Sequence, residues 1–258
     1  MSTEFKLMKT WLKNELQTRR FNKVVIGLSG GFDSSLATFV AASEDCLGNE
    51  NVFGVLMPCE SSKDSIEDAE YLALKLDIKY IIHDLKSSFN YFATDCHYMR
   101  INNKMPDLTP IELGNIKARM RMITLYAYAT PFGGLVLNTS NLSEIMSGNG
   151  TKFGDAAGDI ALFHNYTKTE MYNLAYDCGF AEMFPKIFNK VPTADLEPNQ
   201  TDEGTMGVSY RVLDAYLRGS RDLEQKDMER IEKLIKIGAH KRDKMPSFNL
   251  QEIVKNEI

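Results

Sequence analysis

The chain has 258 residues, 43% hydrophobic and 25% charged, with a formal net charge of -5, so it is long enough to bury a full core and reads as a soluble globular protein. No apolar run approaches the ~20 residues that cross a bilayer, and an acidic balance lacks the basic surface with which a general nucleic-acid binder neutralises phosphates. The four cysteines, Cys46, Cys59, Cys96 and Cys178, are scattered without a CxxC pair, which points to reduced thiols in the cytoplasm and away from a zinc or redox centre.

Residues 1–20 place Phe5, Leu7, Met8, Trp11, Leu12 and Leu16 at helical spacing among charges, the pattern of a folded amphipathic helix and not of a signal peptide. Lys23 to Leu28 is a short β-branched apolar run, a buried strand that ends in a Ser/Gly cluster, and a helix follows from about Asp33 to Ser43. The alternation repeats. Val52 to Met57 is a strand, Ser62 to Leu76 a helix with Ile66, Ala69, Leu72 and Leu76 on one face, and Lys79 to Ile82 a strand. Between Phe89 and Leu108 the periodicity weakens, with an irregular loop expected at 102–106. A long helix spans 109–130, with Ile116, Met120, Ile123 and Ala127 at helical spacing. Pro131 and Gly133-Gly134 stop it before the strand Leu135 to Asn138.

Asn141 to Ser147 is a short helix, and residues 148–158 form a polar loop rich in glycine. Thr167-Lys168-Thr169-Glu170 is a capping box that opens a helix ending at Gly179. Val191 to Gly207 reads as a long loop, and helices at about 209–218 and 225–237 close the pattern. Strands alternating with helices predict an α/β fold: a single-domain parallel sheet flanked by helices on both faces, Rossmann-like in type.

The chemistry starts at residues 27–34, Gly27-Leu28-Ser29-Gly30-Gly31-Phe32-Asp33-Ser34, between a strand and a helix. Two glycines let backbone N–H groups crowd round a phosphate, and the helix N-terminus adds positive potential. The loop lacks the Gly-Lys-Ser/Thr ending of the common P-loop, so the phosphate charge has to be met by amides, a metal and lysines from elsewhere. Asp33 suits Mg²⁺, which takes one or two carboxylates beside phosphate oxygens. A mere capped glycine turn does not require two glycines between two serines.

This loop is the signature of the ATP-pyrophosphatase (PP-loop) superfamily, the adenine nucleotide alpha hydrolase type, and further blocks resemble its ammonia-dependent NAD⁺ synthetases. They are Met57-Pro58, 114–122, Asn138-Thr139-Ser140-Asn141 with Ser143-Glu144, 151–155 with Gly158-Asp159, Lys168, Pro192-Thr193-Ala194-Asp195-Leu196, and His240-Lys241-Arg242. The resemblance covers nearly the whole chain and implies a ligase that forms a C–N bond. In such a ligase the carboxylate of deamido-NAD⁺ attacks the ATP α-phosphate, pyrophosphate leaves, and ammonia displaces AMP to give NAD⁺, the last step of NAD⁺ biosynthesis. Adenylation changes the leaving group from oxide to AMP.

The resemblance further implies that residues 27–34 with Thr139, Lys168 and Thr193 bind ATP, and that Asp33 and Glu144 share Mg²⁺. Arg119, Lys152, Asp159, His240 and Lys241 match positions that bind deamido-NAD⁺. Asp155 and Asp159 are both candidates to take the proton from ammonium. A homodimer is implied, with the apolar face of helix 109–130 a contributor, and the length leaves no room for an amidase domain, so free ammonia, or ammonia from a partner, is the expected nitrogen source. Two departures stand beside the implied site: Gly148-Asn149-Gly150 where the family commonly has an aromatic residue before Thr-Lys, and Asn138 where it commonly has glycine. An RNA-modifying PP-loop enzyme is the nearest competitor, and the acidic charge and missing CxxC disfavour it. A nucleotide binder without activity is disfavoured by intact Asp33, Glu144 and Lys168.

Overall fold

The computed structural model describes residues 2–193 and 201–246. Its elements are α1 (Thr3–Thr18), β1 (Val24–Gly27), α2 (Phe32–Ala42), β2 (Val52–Leu56), α3 (Lys63–Lys75), β3 (Lys79–Ile82), α4 (Lys86–Asn102), α5 (Pro110–Phe132), β4 (Leu135–Asn138), α6 (Leu142–Ser147), β5 (Ile160–Ala161), α7 (Lys168–Asp177), α8 (Phe180–Met183), α9 (Pro185–Phe188), α10 (Asp202–Met206), α11 (Tyr210–Leu217) and α12 (Gln225–Arg242). The strands form one five-stranded sheet in the order β3-β2-β1-β4-β5, and every pairing is parallel.

Alternate side chains of the buried strands feed two cores, as the two-residue period of a strand requires. Val24, Ile26, Val52, Leu56 and Leu137 join α1, α2, α3 and α7 on one face. Val25, Val55 and Val136 join Leu85, Phe89 and the inner side of α5 on the other. Because both faces of β1 and β2 are covered, those two strands carry no polar side chain, whereas the edge strand β3 is largely exposed. A third, smaller cluster of Met206, Val208, Tyr210, Leu213 and Ile231 ties α10, α11 and α12 together.

The structure corrects several readings of the sequence. Residues 86–102 are helix α4, although the periodicity there is weak. Phe89 is its one buried residue among the described ones, so it has no continuous apolar stripe to betray it. In α1, Leu7 and Trp11 are exposed while Phe5, Met8, Leu12 and Leu16 enter the core. In α5, Ile116 and Met120 pack inward but Ile123 and Ala127 face out, and the helix runs through Pro131 to Phe132 before Gly133 ends it in the left-handed conformation. The stretch read as loop from Val191 contains α10, and α12 continues to Arg242, which puts His240 and Lys241 on its last turn.

Candidate active site

The order β3-β2-β1-β4-β5 reverses direction between β1 and β4, and in open parallel sheets ligands sit at the carboxyl ends of the strands at such a point. The Gly/Ser loop leaves β1 there. Thr139, Asn141 and Glu144 leave β4 beside it.

The loop is braced by its own side chains. Ser29 and Ser34 hydroxyls lie 3.0 Å apart, and the Gly31 N–H donates to Ser29 Oγ at 3.2 Å. Gly30 has φ +72°, and a Cβ placed there would lie 2.0 Å from the Ser65 carbonyl oxygen, so only glycine lets the loop rest directly on the first turn of α3. At the same junction Lys190 Nζ donates to the Gly30 carbonyl (3.2 Å), Ser65 Oγ (3.1 Å) and Asp68 Oδ2 (3.0 Å). Asp68 is buried and also pairs with Lys186 at 2.6 Å. Neither Lys190 nor Asp68 stands out in the sequence, because 122 residues separate them and neither belongs to a local pattern.

Asp33 lies in the first turn of α2. Its Oδ1 accepts from Lys168 Nζ at 2.5 Å and its Oδ2 from Asn141 Nδ2 at 2.8 Å. Glu144 Oε1 is 3.8 Å from the same ammonium, and the side chains of Lys168, Asp33 and Glu144 are 4%, 13% and 20% exposed. Asn141 caps α6 and receives the Glu144 carboxylate on its own backbone N–H at 3.3 Å, a capping box that fixes where Glu144 points. Burial, and then the neighbouring Asp33, hold the Glu144 carboxyl well above the ordinary glutamate value. Burial opposes the charge on Lys168, but Asp33 and Glu144 outweigh it and raise the lysine. The ammonium also lies over the rings of Phe32 and Tyr210 at 5.6 and 5.3 Å.

Asp33 and Glu144 are both largely buried and face one ammonium, and a further positive charge placed between them would favour the ionised form of Glu144. Among the described residues no group of three or more His, Cys, Asp and Glu is arranged to hold a metal. An ion held by Asp33 and Glu144 would complete its shell with phosphate oxygens and water, which is how Mg²⁺ binds, and it would share Asp33 with Lys168. The hard oxygen donors fit that ion.

Thr139 is half-buried in the turn from β4 to α6. Thr193 is exposed beyond α9, in a segment tied to α10 by the Asp202 N–H donating to the Pro192 carbonyl at 3.0 Å. Ala194 to Leu196 of the same block lie outside the described residues.

A second group of predicted residues gathers where α12 lies against the loop 148–158. Arg119 Nε donates to the Lys152 carbonyl at 3.3 Å, Lys152 Nζ to the His240 carbonyl, and Lys241 Nζ to the carbonyls of Gly148 and Gly150, both at 2.7 Å. The close approach depends on glycine: a Cβ on Gly238 would lie 2.8 Å from the Gly148 Cα. That is a physical reason for Gly148 in the first of the two departures from the family pattern. The second, Asn138, fastens the same loop, donating through Nδ2 to the carbonyls of Asp155 (2.8 Å) and Ala157 (2.9 Å).

Both candidate proton acceptors are engaged. Asp155 Oδ1 accepts from the Thr151 N–H at 2.8 Å, and desolvation there raises its pKa. Asp159 accepts from the Tyr126 hydroxyl (3.1 Å) and the Val136 N–H (2.8 Å), and burial with Asp159 pushes the Tyr126 hydroxyl up to about 12, so it stays a donor. Asp159 is thus fastened to α5 and β4 by these two hydrogen bonds.

The family model described as NAD synthase matches residues 4–246. The NH(3)-dependent NAD(+) synthetase of Pyrococcus horikoshii is 41% identical over 234 residues, 86% of this chain and 86% of that protein. Among solved structures, an NMN synthetase from Francisella tularensis matches with a TM-score of 0.85 and 29% identity, covering 97% of this chain and 100% of that one. An NH3-dependent NAD synthetase from Campylobacter jejuni matches with a TM-score of 0.74 and 30% identity, covering 96% and 99%.

Proposed function

The chain belongs to the NAD synthase family of C–N bond-forming ligases, and we propose that it amidates deamido-NAD⁺ with ammonia and ATP, releasing NAD⁺, AMP and pyrophosphate. The observation that carries the reading is the meeting of Asp33, Glu144 and Lys168 beside the glycine loop at the β1/β4 switch point.

The glycine loop takes the pyrophosphate part of ATP on its backbone amides, and Lys168 supplies the positive charge that the loop lacks. Mg²⁺, held by Asp33 and Glu144, neutralises charge on the triphosphate when bound. Thr139 and Thr193 contribute to the ATP site. Arg119, Lys152, His240 and Lys241 hold the dinucleotide under the loop 148–158, with Asp159 at its margin. The carboxylate is then presented in line to the α-phosphate, where orientation supplies much of the rate. Asp155 or Asp159 takes the proton from ammonium so that neutral ammonia attacks the adenylate.

The protein is proposed to act as a homodimer in the cytoplasm. Tyr91, Tyr98 and Met99 on α4 and Ile111 and Ile123 on α5 are exposed apolar side chains that a second copy could cover, and the four cysteines are free. No helix among the described residues is long and apolar enough to cross a membrane.

A second reading is favoured by one observation: the likeness in fold is greater to the NMN synthetase, at a TM-score of 0.85, than to the NAD synthetase at 0.74. The amidated substrate is then the nicotinate mononucleotide, with the same chemistry at the carboxylate. One assay separates these. The protein is incubated with ATP, Mg²⁺ and either the dinucleotide or the mononucleotide, with ammonium or glutamine as nitrogen source. Amide product with AMP and pyrophosphate from ammonium alone supports the reaction, and the higher kcat/KM names the substrate. ADP as the product, or no turnover with either substrate, overturns both.

A further inference from the structure

Helix α11 carries a carboxylate where a core residue would be expected. Asp214 is 4% exposed and follows Leu213, which is fully buried. It accepts from Ser143 Oγ at 2.5 Å, from the Thr169 N–H at 2.7 Å and from Thr169 Oγ1 at 2.6 Å. Ser143 Oγ in turn accepts the Lys168 N–H at 2.9 Å. These three donors to Asp214 are neutral, and Arg218, one turn on, pairs with Glu170 and acts on Asp214 only through space. Burying a carboxylate with no direct ionic partner is costly compared with an apolar side chain in the same space. The placement therefore needs a reason beyond packing.

That reason lies one residue away on each side. Ser143 precedes Glu144 on α6, and Thr169 follows Lys168 on α7, so Asp214 grips both residues adjoining the charged pair. It also sets a negative charge at the N-terminus of α7, in the turn where the cation of Lys168 would otherwise oppose the helix dipole. We propose that Asp214 is a positioning residue for the adenylation centre: by tying α6 and α7 to α11 it fixes the separation of Glu144 and Lys168 across Asp33. The inference rests on the roles proposed above for Glu144 and Lys168.

The test compares Asp214→Asn with Ile231→Val, which trims the apolar cluster between α11 and α12 without touching these hydrogen bonds. Asn keeps the shape but turns an amide N–H₂ on groups that need an acceptor. The expected result for Asp214→Asn is a fall in kcat of about 10–100-fold, the scale of a small misplacement of catalytic groups, with KM for the nicotinate substrate within about twofold of wild type. Ile231→Val lowers Tm but leaves kcat unchanged. Adding Ser143→Ala to Asp214→Asn costs less than about twofold more, because both changes break one linkage. If Asp214→Asn does not fold, Thr169→Val, which removes one hydroxyl, takes its place with the same split expected.

Binding of ATP, measured by calorimetry without the nicotinate substrate, reads the same geometry and weakens in the variant. A wild-type protein that releases no pyrophosphate sinks the functional reading, and the ATP titration then decides on Asp214 by itself. Unchanged kcat and ATP affinity in folded Asp214→Asn, or a loss that Ile231→Val reproduces at equal Tm, overturns the positioning role.

Discussion

The two halves of the site are held in different ways. The phosphate half, residues 27–34, is one continuous stretch whose serines brace its own backbone and whose Gly30 rests on α3. The charged half is assembled from α2, α6 and α7, with 135 residues between Asp33 and Lys168, and α11 holds its parts in register. A local loop keeps most of its shape through neighbours in sequence, with α3 and Lys190 steadying it from behind. An assembled cluster keeps its shape only while several helices stay docked, so damage to it is expected to reach further.

Breaking the charged half at its centre gives the largest effect. Asp33→Ala removes the acceptor of Lys168 and one carboxylate of the proposed Mg²⁺ site, and pyrophosphate release should fall by at least about 10³-fold while circular dichroism shows a folded protein. Survival of turnover would show that the metal and lysine do not act through Asp33. Lys168→Met comes next. It leaves two carboxylates facing each other in a largely buried place, so kcat should drop by about 10²–10³-fold and stability by about 3–5 kcal/mol, read from urea unfolding.

The phosphate half should respond more mildly. Lys190→Met removes a clamp on the Gly30 carbonyl from behind the loop, and KM for ATP should rise by about tenfold with kcat nearly kept. A loss in kcat without a change in KM would place Lys190 in the charged half. The smallest effect is one of pH. The folded protein binds the Glu144 proton more tightly than the unfolded chain does, so this group favours folding most below the ordinary glutamate value of 4.5 and loses that contribution as pH rises through the raised value. Glu144→Gln without nucleotide or metal should therefore lose less stability than wild type on going from acid to neutral pH, even as it loses activity. Parallel stability curves for the two proteins would remove the electrostatic account of Glu144.

The legibility of each part follows the same division. Residues 27–34 and the Thr167 capping box were readable because their chemistry is local: glycine and serine at fixed offsets dictate a turn and a cap. Only the resemblance marks Glu144 and Lys168 as site residues, since a carboxylate and an ammonium on short helices read as solvated charges until the fold makes them face each other. Asn141 could have been found from its Asn-x-x-Glu spacing. Lys190, Asp68 and Asp214 had no such signal, because each partner lies in a different element.

By itself the sequence determined the alternating strands and helices, the phosphate loop and the class of reaction, because hydrophobic period, glycine geometry and motif blocks are written in adjacent residues. Tertiary structure alone decided the strand order that sets β1 beside β4, the helix of 86–102, and the partners of each buried charge. The physical reason is that burial, and not residue type, makes a charge seek a partner, and which partner it meets depends on how the layers pack.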